Sequence, residues 1–182
     1  MMVKFQYNKC GLGGLKMEKM SMDIKKLCCL YVSDWHLSVM LLPYINKQIN
    51  EDVGITTIFK NDVEKNIKIL IEKLNLKNSQ KILDIEYKNR EIINYKKIEN
   101  ILNKCIHKKE IIIITNGNKE DIEQTNNYIE EYLNKNEIIN KKIKIINCFE
   151  VSNIEPNIEE LMLKYKTVLN TSGEKDIKEL IV

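Results

Sequence analysis

The stretch KLCCLYVSDWHLSVMLL, residues 26–42, contains an apolar run, a polar turn and the beginning of an amphipathic segment. The run 26–32 is almost continuously apolar, which is typical of a strand whose two faces are both covered. Ser33 and Asp34 follow it, and both residue types cap helix N-termini well. The apolar residues after them recur at the i, i+3, i+4, i+7 spacing of one helix face; they are Leu37, Met40, Leu41, Tyr44, Ile45 and Ile49. The stretch therefore predicts a strand, a tight turn and a helix.

The same alternation recurs along the chain. Apolar runs predict strands at residues 26–32, 54–60, 81–88, 110–115 and 142–149. Helices are predicted after Ser33 and Asp34, from Asn61 or Asp62, and at about 94–106, 120–133 and 157–169, the last opened by Pro156 and closed by Gly173. Five strand–helix repeats with right-handed crossovers predict one α/β domain over residues 17–182. Its expected architecture is a three-layer α/β/α fold with about five mainly parallel strands and helices on both faces.

Residues 1–16 are expected to be a leader that does not belong to the native protein. The glycine-rich segment GLGGLKMEKM, residues 11–20, precedes the first strand, so it lies at the wrong end of the sheet for a phosphate loop. In an AT-rich bacterial gene, residues 12–17 can be encoded by a ribosome-binding sequence followed by an ATG codon. We therefore expect the native chain to start at Met17, or else at Met20 or Met22.

The composition argues against nucleic-acid and membrane binding. The 29 basic and 26 acidic residues give a net charge of +3 and are interspersed, and only Arg90 supplies a guanidinium group. The apolar runs are far shorter than the roughly 20 residues that a membrane-spanning helix requires. The five cysteines are odd in number and include no CxxC pair. Reduced thiols and a cytoplasmic location are therefore expected.

The carboxyl ends of the predicted strands form the expected ligand-binding edge, because helix N-termini offer unpaired N–H groups there. Beyond the residues of the first turn, that edge comprises Lys60, Asn61 and Asp62, then Lys88 and Asn89, then Thr115, Asn116 and Gly117, and Glu150. The segment YVSDWH, residues 31–36, is its densest cluster. The candidate ligand-binding residues are Ser33, Asp34, Trp35, His36, Tyr44, Thr115, Asn116 and Glu150, with Trp35 and Tyr44 supplying apolar surface. The alternative is that the residues of the first turn only cap and pack the helix.

Motifs of familiar enzyme classes are absent from that edge. The segment VSDWHL, residues 32–37, has neither the glycines of a P-loop or Rossmann turn nor a P-loop lysine. A phospho-receiver would resemble this chain in its five strand–helix units, but Asp34 stands alone and no lysine follows the last strand. The chain also lacks a GxSxG elbow and an HExxH motif. We expect no catalytic residues, no metal site and no cofactor.

Both ends of the predicted sheet resemble one family. KLCCLYVSDWHLSVMLLPYINKQI, residues 26–49, looks like the opening of the MEDS domain (methanogen/methylotroph DcmR-type sensory domain), with a strand that ends in a tyrosine, an acidic turn and a helix containing the pair Pro43 and Tyr44. INCFEVSNIEPNIEELMLKYKTVLNTSG, residues 146–173, is similar to that family's last unit, a cysteine-containing strand with an aromatic-acid pair, a helix and a V-L-x-x-x-G tail. The resemblance implies a RecA/KaiC-like fold with a degenerate phosphate loop that acts as a sensory module.

The expected function is that of a non-catalytic signal-sensing or regulatory module. Its partner would be a small-molecule ligand or a regulatory protein, with no direct nucleic-acid or membrane contact, and its output would pass through that partner or a homo-oligomer. One alternative is a small nucleotide-using or transferase-like α/β enzyme in which Lys60, Asn61, Asn116 and Asn118 bind phosphate without a glycine loop. The other alternative is a scaffolding partner protein.

Overall fold

The computed structural model describes residues 23–59, 63–85, 87–89, 94–136, 138, 141–153 and 158–180. The expected leader, residues 1–16, lies outside this part of the chain, as do the three start methionines. The strands are β1 (Asp23–Tyr31), β2 (Val53–Phe59), β3 (Tyr87–Asn89), β4 (Glu110–Asn116), β5 (Lys142–Glu150), β6 (Thr167–Asn170) and β7 (Gly173–Asp176). The helices are α1 (Asp34–Gln48), α2 (Val63–Lys73), α3 (Ser79–Leu83), α4 (Tyr95–Cys105), α5 (Lys119–Lys135) and α6 (Ile158–Lys164), and 3₁₀ turns lie at Val151–Asn153 and Ile177–Leu180.

The described strands form one sheet of seven in the order β3-β2-β4-β5-β1-β6-β7. Every neighbouring pair is parallel except β6 and β7, which form an antiparallel hairpin. The first strand lies between β5 and β6, whereas in a flavodoxin-like receiver it lies between the second and third strands. Strand order therefore separates this fold from a receiver domain, as the sequence motifs do.

The two faces of the sheet bury two different sets of side chains. In β4, Ile112 and Ile114 pack with α1 and α2, whereas Ile111 and Ile113 pack with α4 and α5. This alternation follows from the two-residue period of a strand. Near β1, β5 and β6 the second face is covered by residues of α5 and α6, including Ile122 and Leu161. The three-layer α/β/α fold predicted from the sequence is confirmed.

The strand predicted at residues 81–88 is wrong for most of its length. Ser79–Leu83 forms a short helix, and β3 begins only at Tyr87. Ile82 and Ile85 are both buried against the α1 side of the sheet. Their spacing of three is the spacing of a helical turn, which would not place two strand residues on one face.

The helix predicted at residues 157–169 is also wrong in its second half. The helix α6 ends at Lys164, and Thr167–Asn170 then forms β6 beside β1. Gly173 does not close a helix but begins β7, with a φ angle of +109° after the turn in which the backbone N–H of Ser172 donates to Asn170 Oδ1. The hairpin adds the two strands that bring the total to seven instead of about five.

Candidate functional site

A crevice is expected at the carboxyl edge between β1 and β5. These strands are neighbours and run parallel over their full lengths. The chain leaves β1 through α1 on one face of the sheet and leaves β5 towards α6 on the other face. Adjacent strands whose connections diverge in this way form a topological switch point, where open parallel sheets hold their ligands. Four of the predicted site residues, 33–36, lie on its β1 side.

The N-terminus of α1 is capped by the chain's own side chains. Ser33 is the N-cap, and its Oγ accepts a hydrogen bond from the backbone N–H of His36 at 3.2 Å. Nδ1 of His36 accepts from the backbone N–H of Val32 at 3.2 Å. Asp34 adds a carboxylate to the first turn, which the helix dipole favours. Because the N–H of His36 is engaged and Asp34 adds a negative charge to the turn, this helix start is poorly suited to hold a phosphate.

An apolar surface lies beside these caps. Trp35 is 47% exposed and Val32 is 67% exposed, although both are large hydrophobic residues. Val39, one turn further along α1 from Trp35, is also 47% exposed. Residues four apart are neighbours on a helix surface. Trp35 and Val39 therefore form an exposed apolar strip on α1, and the exposed Val32 lies just before that helix.

Tyr31 and Glu150 lie next to each other at the last matched position of the two strands, where the crevice is expected. Tyr31 is buried, and its hydroxyl accepts a long hydrogen bond of 3.4 Å from Nδ2 of Asn116. Burial raises the pKa of the Tyr31 hydroxyl, the bond from Asn116 opposes that rise, and the nearby carboxylates of Glu150 and Asp34 add to it. Glu150 is half-buried and accepts a hydrogen bond from Asn153 Nδ2 at 2.9 Å. The structure thus groups Asn116 and Glu150 around a tyrosine that was not among the predicted site residues.

Thr115 lies on the opposite face of the sheet from Asn116. It is 1% exposed, and its hydroxyl donates to Asn147 Oδ1 at 2.9 Å. Nδ2 of Asn147 in turn donates to the hydroxyl of Tyr165 at 2.8 Å. Since these three side chains form a buried chain of hydrogen bonds under α6, the structure does not bring Thr115 to the crevice.

Tyr44 lies at the other end of α1. The helix runs back along the sheet from the crevice, and ten residues of helix span about 15 Å. The Tyr44 hydroxyl donates to Glu174 Oε1 at 3.0 Å, and Glu174 also pairs with Lys25 at 2.6 Å and Lys144 at 3.1 Å. Tyr44 therefore belongs to a half-buried ionic cluster that fastens the β6–β7 hairpin to the sheet, and Trp35 is separated from it.

The residues on which a phosphate site would depend are only partly described. Lys60, Asn61 and Asp62 lie outside the described residues, and the side chains of Lys88 and Asn89 do as well. Asn118 is the N-cap of α5, and its Oδ1 accepts from the N–H of Asp121 at 2.8 Å. Gly117, with a φ angle of 155°, carries the chain from β4 into that cap. Of the four residues expected to bind phosphate, the two described ones therefore serve other contacts: Asn118 caps α5 and Asn116 bonds the Tyr31 hydroxyl.

The described residues include no group of three His, Cys, Asp or Glu side chains placed to hold a metal ion. Their helices also include none that combines the length and apolarity needed to cross a membrane. Comparison of the sequence with known proteins finds no matching family model and no similar curated protein.

Tyr31 could have been found from the sequence by its position. It is the last described residue of β1, so its side chain points to the same face as Leu27 and Cys29 while its hydroxyl reaches the carboxyl edge. The sequence positions of Asn147 and Tyr165 do not indicate in the same way that these two residues are bonded to each other. Their partnership requires β5 and the end of α6 to meet in space, and the sequence separates them by 18 residues.

Proposed function

We propose that this protein is a non-catalytic sensory or regulatory module that binds a small molecule or a protein segment in the crevice between β1 and β5. The observation that carries the proposal is the exposed pair Val32 and Trp35 beside a helix N-terminus that is already capped. An exposed tryptophan next to carboxylates and a buried tyrosine is suited to binding, because an apolar wall gives affinity and polar groups give orientation.

The charge of the crevice indicates which ligands it favours. Asp34 and Glu150 both place carboxylates close enough to Tyr31 to raise the pKa of its hydroxyl. A phosphate or nucleotide would meet like charge here. Neutral and cationic organic molecules, or a basic protein segment, are the expected ligands, and aromatic stacking of a cation on Trp35 would add to the binding free energy.

The resemblance to the MEDS domain points to the same class of function. The two stretches that carry it, residues 26–49 and 146–173, contain parts of β1 and β5 and the whole of α1, α6 and β6. These strands are direct neighbours in the sheet, with β1 between β5 and β6. The resemblance thus concerns one continuous part of the fold, which includes the proposed crevice.

We further propose that the protein acts in the cytoplasm. Cys28, Cys29, Cys105 and Cys148 are free thiols and are buried, as in proteins of reducing compartments. The output would pass through a protein partner or a second copy of the chain. The exposed side chains of Val32, Trp35 and Val39 are the proposed contact surface. A purely scaffolding role would use the same surface without a small molecule.

Trp35 is the only tryptophan, so its fluorescence reports on the crevice directly. The experiment is a thermal-shift screen of the full chain against Mg-nucleotides on one plate and neutral or cationic organics on another, with Trp35 emission followed for every hit. Binding at a hundredfold excess over Kd adds about 2.7 kcal/mol. We expect shifts on the organics plate with a blue shift of Trp35 emission. Shifts with nucleotides alone would contradict the proposal and favour the alternative of a nucleotide-using enzyme.

Matched variants separate binding from stability. Trp35→Ser is compared with Leu74→Ser, because the two side chains are 47% and 46% exposed. Asp34→Asn is compared with Asp23→Asn, which lies at the far end of β1. Only the crevice variants should bind more weakly and therefore show a smaller ligand-induced thermal shift. The expected loss of apparent affinity is at least tenfold, roughly the effect of one buried charged contact. A normal response of both crevice variants would refute the site.

A further inference from the structure

A groove lies along the outer edge of β2, away from the crevice between β1 and β5. β3 pairs with β2 only at Thr57, Ile58 and Phe59. No described strand therefore covers the outer edge of residues 53–56, which is about 13 Å long at the usual rise of a strand. The groove beside this edge has a volume of about 360 Å³, which is the size of a small-ligand site. The sheet thus has an open position beside the first half of β2.

The main chain of β2 points hydrogen-bonding groups into this open position. The carbonyl oxygen of Asp52 accepts from the backbone N–H of Glu110 in β4 at 3.2 Å. In a parallel strand the N–H and C=O groups of one residue point to the same side, and successive residues alternate between the two sides. Since Asp52 faces β4, Val53 and Ile55 face the groove. Among the described residues, none makes a hydrogen bond to their outward-facing main-chain groups.

Open main-chain groups are unusual at such a position. Ile55 is only 9% exposed, and buried backbone groups in proteins are nearly always hydrogen-bonded. A strand edge with open groups is also a template on which a further strand can form. The main chain of Val53 and Ile55 therefore indicates a partner that brings its own main-chain donors and acceptors into the groove.

The two walls of the groove belong to opposite faces of the sheet. Ile49 and Ile85 pack with the cluster on the α1 side, whereas Ile101 and Cys105 pack with the cluster on the α4 side. All four side chains line the groove. Successive side chains of a strand point to opposite faces of its sheet. A strand in the groove would therefore place alternate side chains on these two apolar walls.

The charged groups at the rim do not select an ion. The rim residues are Lys81, Lys104 and Lys108 together with Glu51 and Asp84. Lys108 Nζ donates to the Glu51 carbonyl at 2.8 Å, and Asp84 Oδ1 accepts from Gln80 Nε2 at 3.0 Å. Because both signs are present and these groups are already engaged, the rim favours an uncharged ligand.

We propose that the groove binds an extended, uncharged segment of a partner protein, which adds to the sheet as a strand beside β2 and in line with β3. Main-chain groups of the segment bond those of Val53 and Ile55, and its apolar side chains pack alternately against Ile85 and Ile101. In strand addition of this kind, main-chain hydrogen bonds give affinity and the side-chain contacts give specificity. The site is separated from the crevice between β1 and β5 by β4.

The test uses the full chain and fluorescein-labelled, uncharged peptides of five residues in which Val or Ile alternates with Thr. We expect their fluorescence anisotropy to rise and to saturate at one peptide per chain. Fully N-methylated versions of the same peptides keep the side chains but lose the main-chain donors, so they should bind at least tenfold more weakly. Absence of binding by every peptide, or equal binding of the methylated versions, would overturn the proposal.

Hydrogen exchange of single backbone amides, followed by NMR, locates the bound peptide. The N–H groups of Val53 and Ile55 should exchange about tenfold more slowly in the complex, and this gain should exceed that of Gly54, whose N–H faces β4. Unchanged exchange at Val53 and Ile55 would refute the site. If these amides were protected without peptide and lost that protection on dilution, the occupant would be a second copy of the chain and the assignment to a partner would be wrong.

Two variants test the position of the site. Val53→Pro removes one outward-facing donor and spares the bonds to β4, because proline is tolerated at the first residue of a strand. Peptide affinity should fall about three- to tenfold, the effect of one hydrogen bond. Trp35→Ser changes the crevice and should bind the peptide as the wild type does. Full affinity in Val53→Pro, or lost affinity in Trp35→Ser, would contradict the assignment, and the exchange measurement on the wild type decides it even if Val53→Pro does not fold.

Discussion

Tyr31 and Glu150 lie side by side at the last matched position of β1 and β5. A phenol with a raised pKa therefore stands next to a carboxylate at the carboxyl edge of the sheet. Such a phenol stays protonated at physiological pH and remains available as a hydrogen-bond donor to a ligand. Substitution of Tyr31 and measurement of Trp35 fluorescence therefore test this part of the protein directly.

Removing the Tyr31 hydroxyl should lower stability modestly. Tyr31→Phe leaves the buried Nδ2 of Asn116 without this acceptor, which should reduce the free energy of unfolding by about 1 kcal/mol. Urea denaturation measures the change. Tyr128→Phe is the control, because the Tyr128 hydroxyl accepts its bond from the exposed Gln124 and its loss should cost less than about 0.5 kcal/mol. Equal losses in the two variants would contradict the burial argument.

Stability should fall steeply at alkaline pH. Burial raises the pKa of Tyr165 to about 12, from 10.0, with the hydrogen bond from Asn147 opposing the rise. A pKa raised in the folded state means that the unfolded chain loses its proton first. The stabilising contribution is therefore complete below pH 10 and declines between pH 10 and about 12, by up to about 1.4 kcal/mol per pH unit.

The Tyr165→Phe variant isolates this effect from the titration of the lysines. Its free energy of unfolding, measured by urea denaturation from pH 8 to 11.5, should depend less on pH above 10 than that of the wild type. At pH 8 the variant should itself be less stable, because Asn147 loses its acceptor. Parallel curves for the two proteins above pH 10 would show that Tyr165 ionises normally.

Thr115→Val should affect stability and leave ligand binding intact. The substitution removes the donor to Asn147 Oδ1 inside the sheet, and the unsatisfied acceptor should cost about 1–2 kcal/mol. Thr125→Val is the control, because its hydroxyl donates to the carbonyl of Asp121 within the same helix, α5. Trp35 emission should respond to crevice ligands as in the wild type. A lost response in a folded Thr115→Val protein would return Thr115 to the site.

Glu174 should contribute to stability only above acidic pH. Burial would raise its pKa, but the hydrogen bonds from Lys25 and Lys144 outweigh that effect and lower it below 4.5. A lowered folded-state pKa means that the stabilisation is present above pH 4.5 and is lost as the pH falls through the folded value. Glu174→Gln should therefore cost about 1–2 kcal/mol at pH 7 and much less at pH 3.

Chemical denaturation at both pH values measures this difference. Glu179→Gln is the matched control, because its pair with Lys175 is 3.5 Å long and the Glu179 side chain is 59% exposed. Exposed pairs contribute about 0–1 kcal/mol. If Glu174→Gln were no more costly at pH 7 than Glu179→Gln, the ionic cluster would not be what fastens the hairpin.

Gly54→Ala should be destabilising because of contact with α4. The added Cβ would meet Cys105 Cβ at 2.9 Å, and overpacking of this kind costs about 1–3 kcal/mol. The cost should fall when Cys105→Gly is added. Gly173→Ala provides the contrast: nothing lies within 4 Å of its Cβ position, but φ is +109°, so its cost is backbone strain that Cys105→Gly cannot relieve. Thermal melts of the wild type, Gly54→Ala, Gly173→Ala, Cys105→Gly and the two double variants distinguish steric overlap from backbone strain.

The sequence predicted the central strands well because they are buried on both faces. β1, β2, β4 and β5 begin and end within about three residues of the predicted positions, and α4 and α5 begin at the asparagine caps Asn94 and Asn118. Continuous apolar runs are expected only where helices cover both sides of a strand. The edges of the sheet lack that signature, which is why β3, β6 and β7 were missed or misplaced.

The candidate site was predictable where its residues share one turn or end neighbouring strands on the same face of the sheet. Ser33, Asp34, Trp35 and His36 lie together because one turn joins β1 to α1, and the strand end supplied Glu150. Tyr44 and Thr115 were placed with them by apolarity and by position at a strand end, respectively. A helix that runs back along the sheet carries Tyr44 away, and the two-residue period of β4 turns Thr115 to the opposite face.

The position of β1 between β5 and β6 has a consequence for how the chain folds during synthesis. β1 is made first, but both of its partners are made roughly 120 residues or more afterwards. Its two edges stay unpaired until nearly the whole domain has left the ribosome, and contacts of such long sequence separation form slowly. Fragments that end before β5 should therefore expose an unsatisfied apolar strand and aggregate, which makes late assembly around β1 the step most dependent on chaperones.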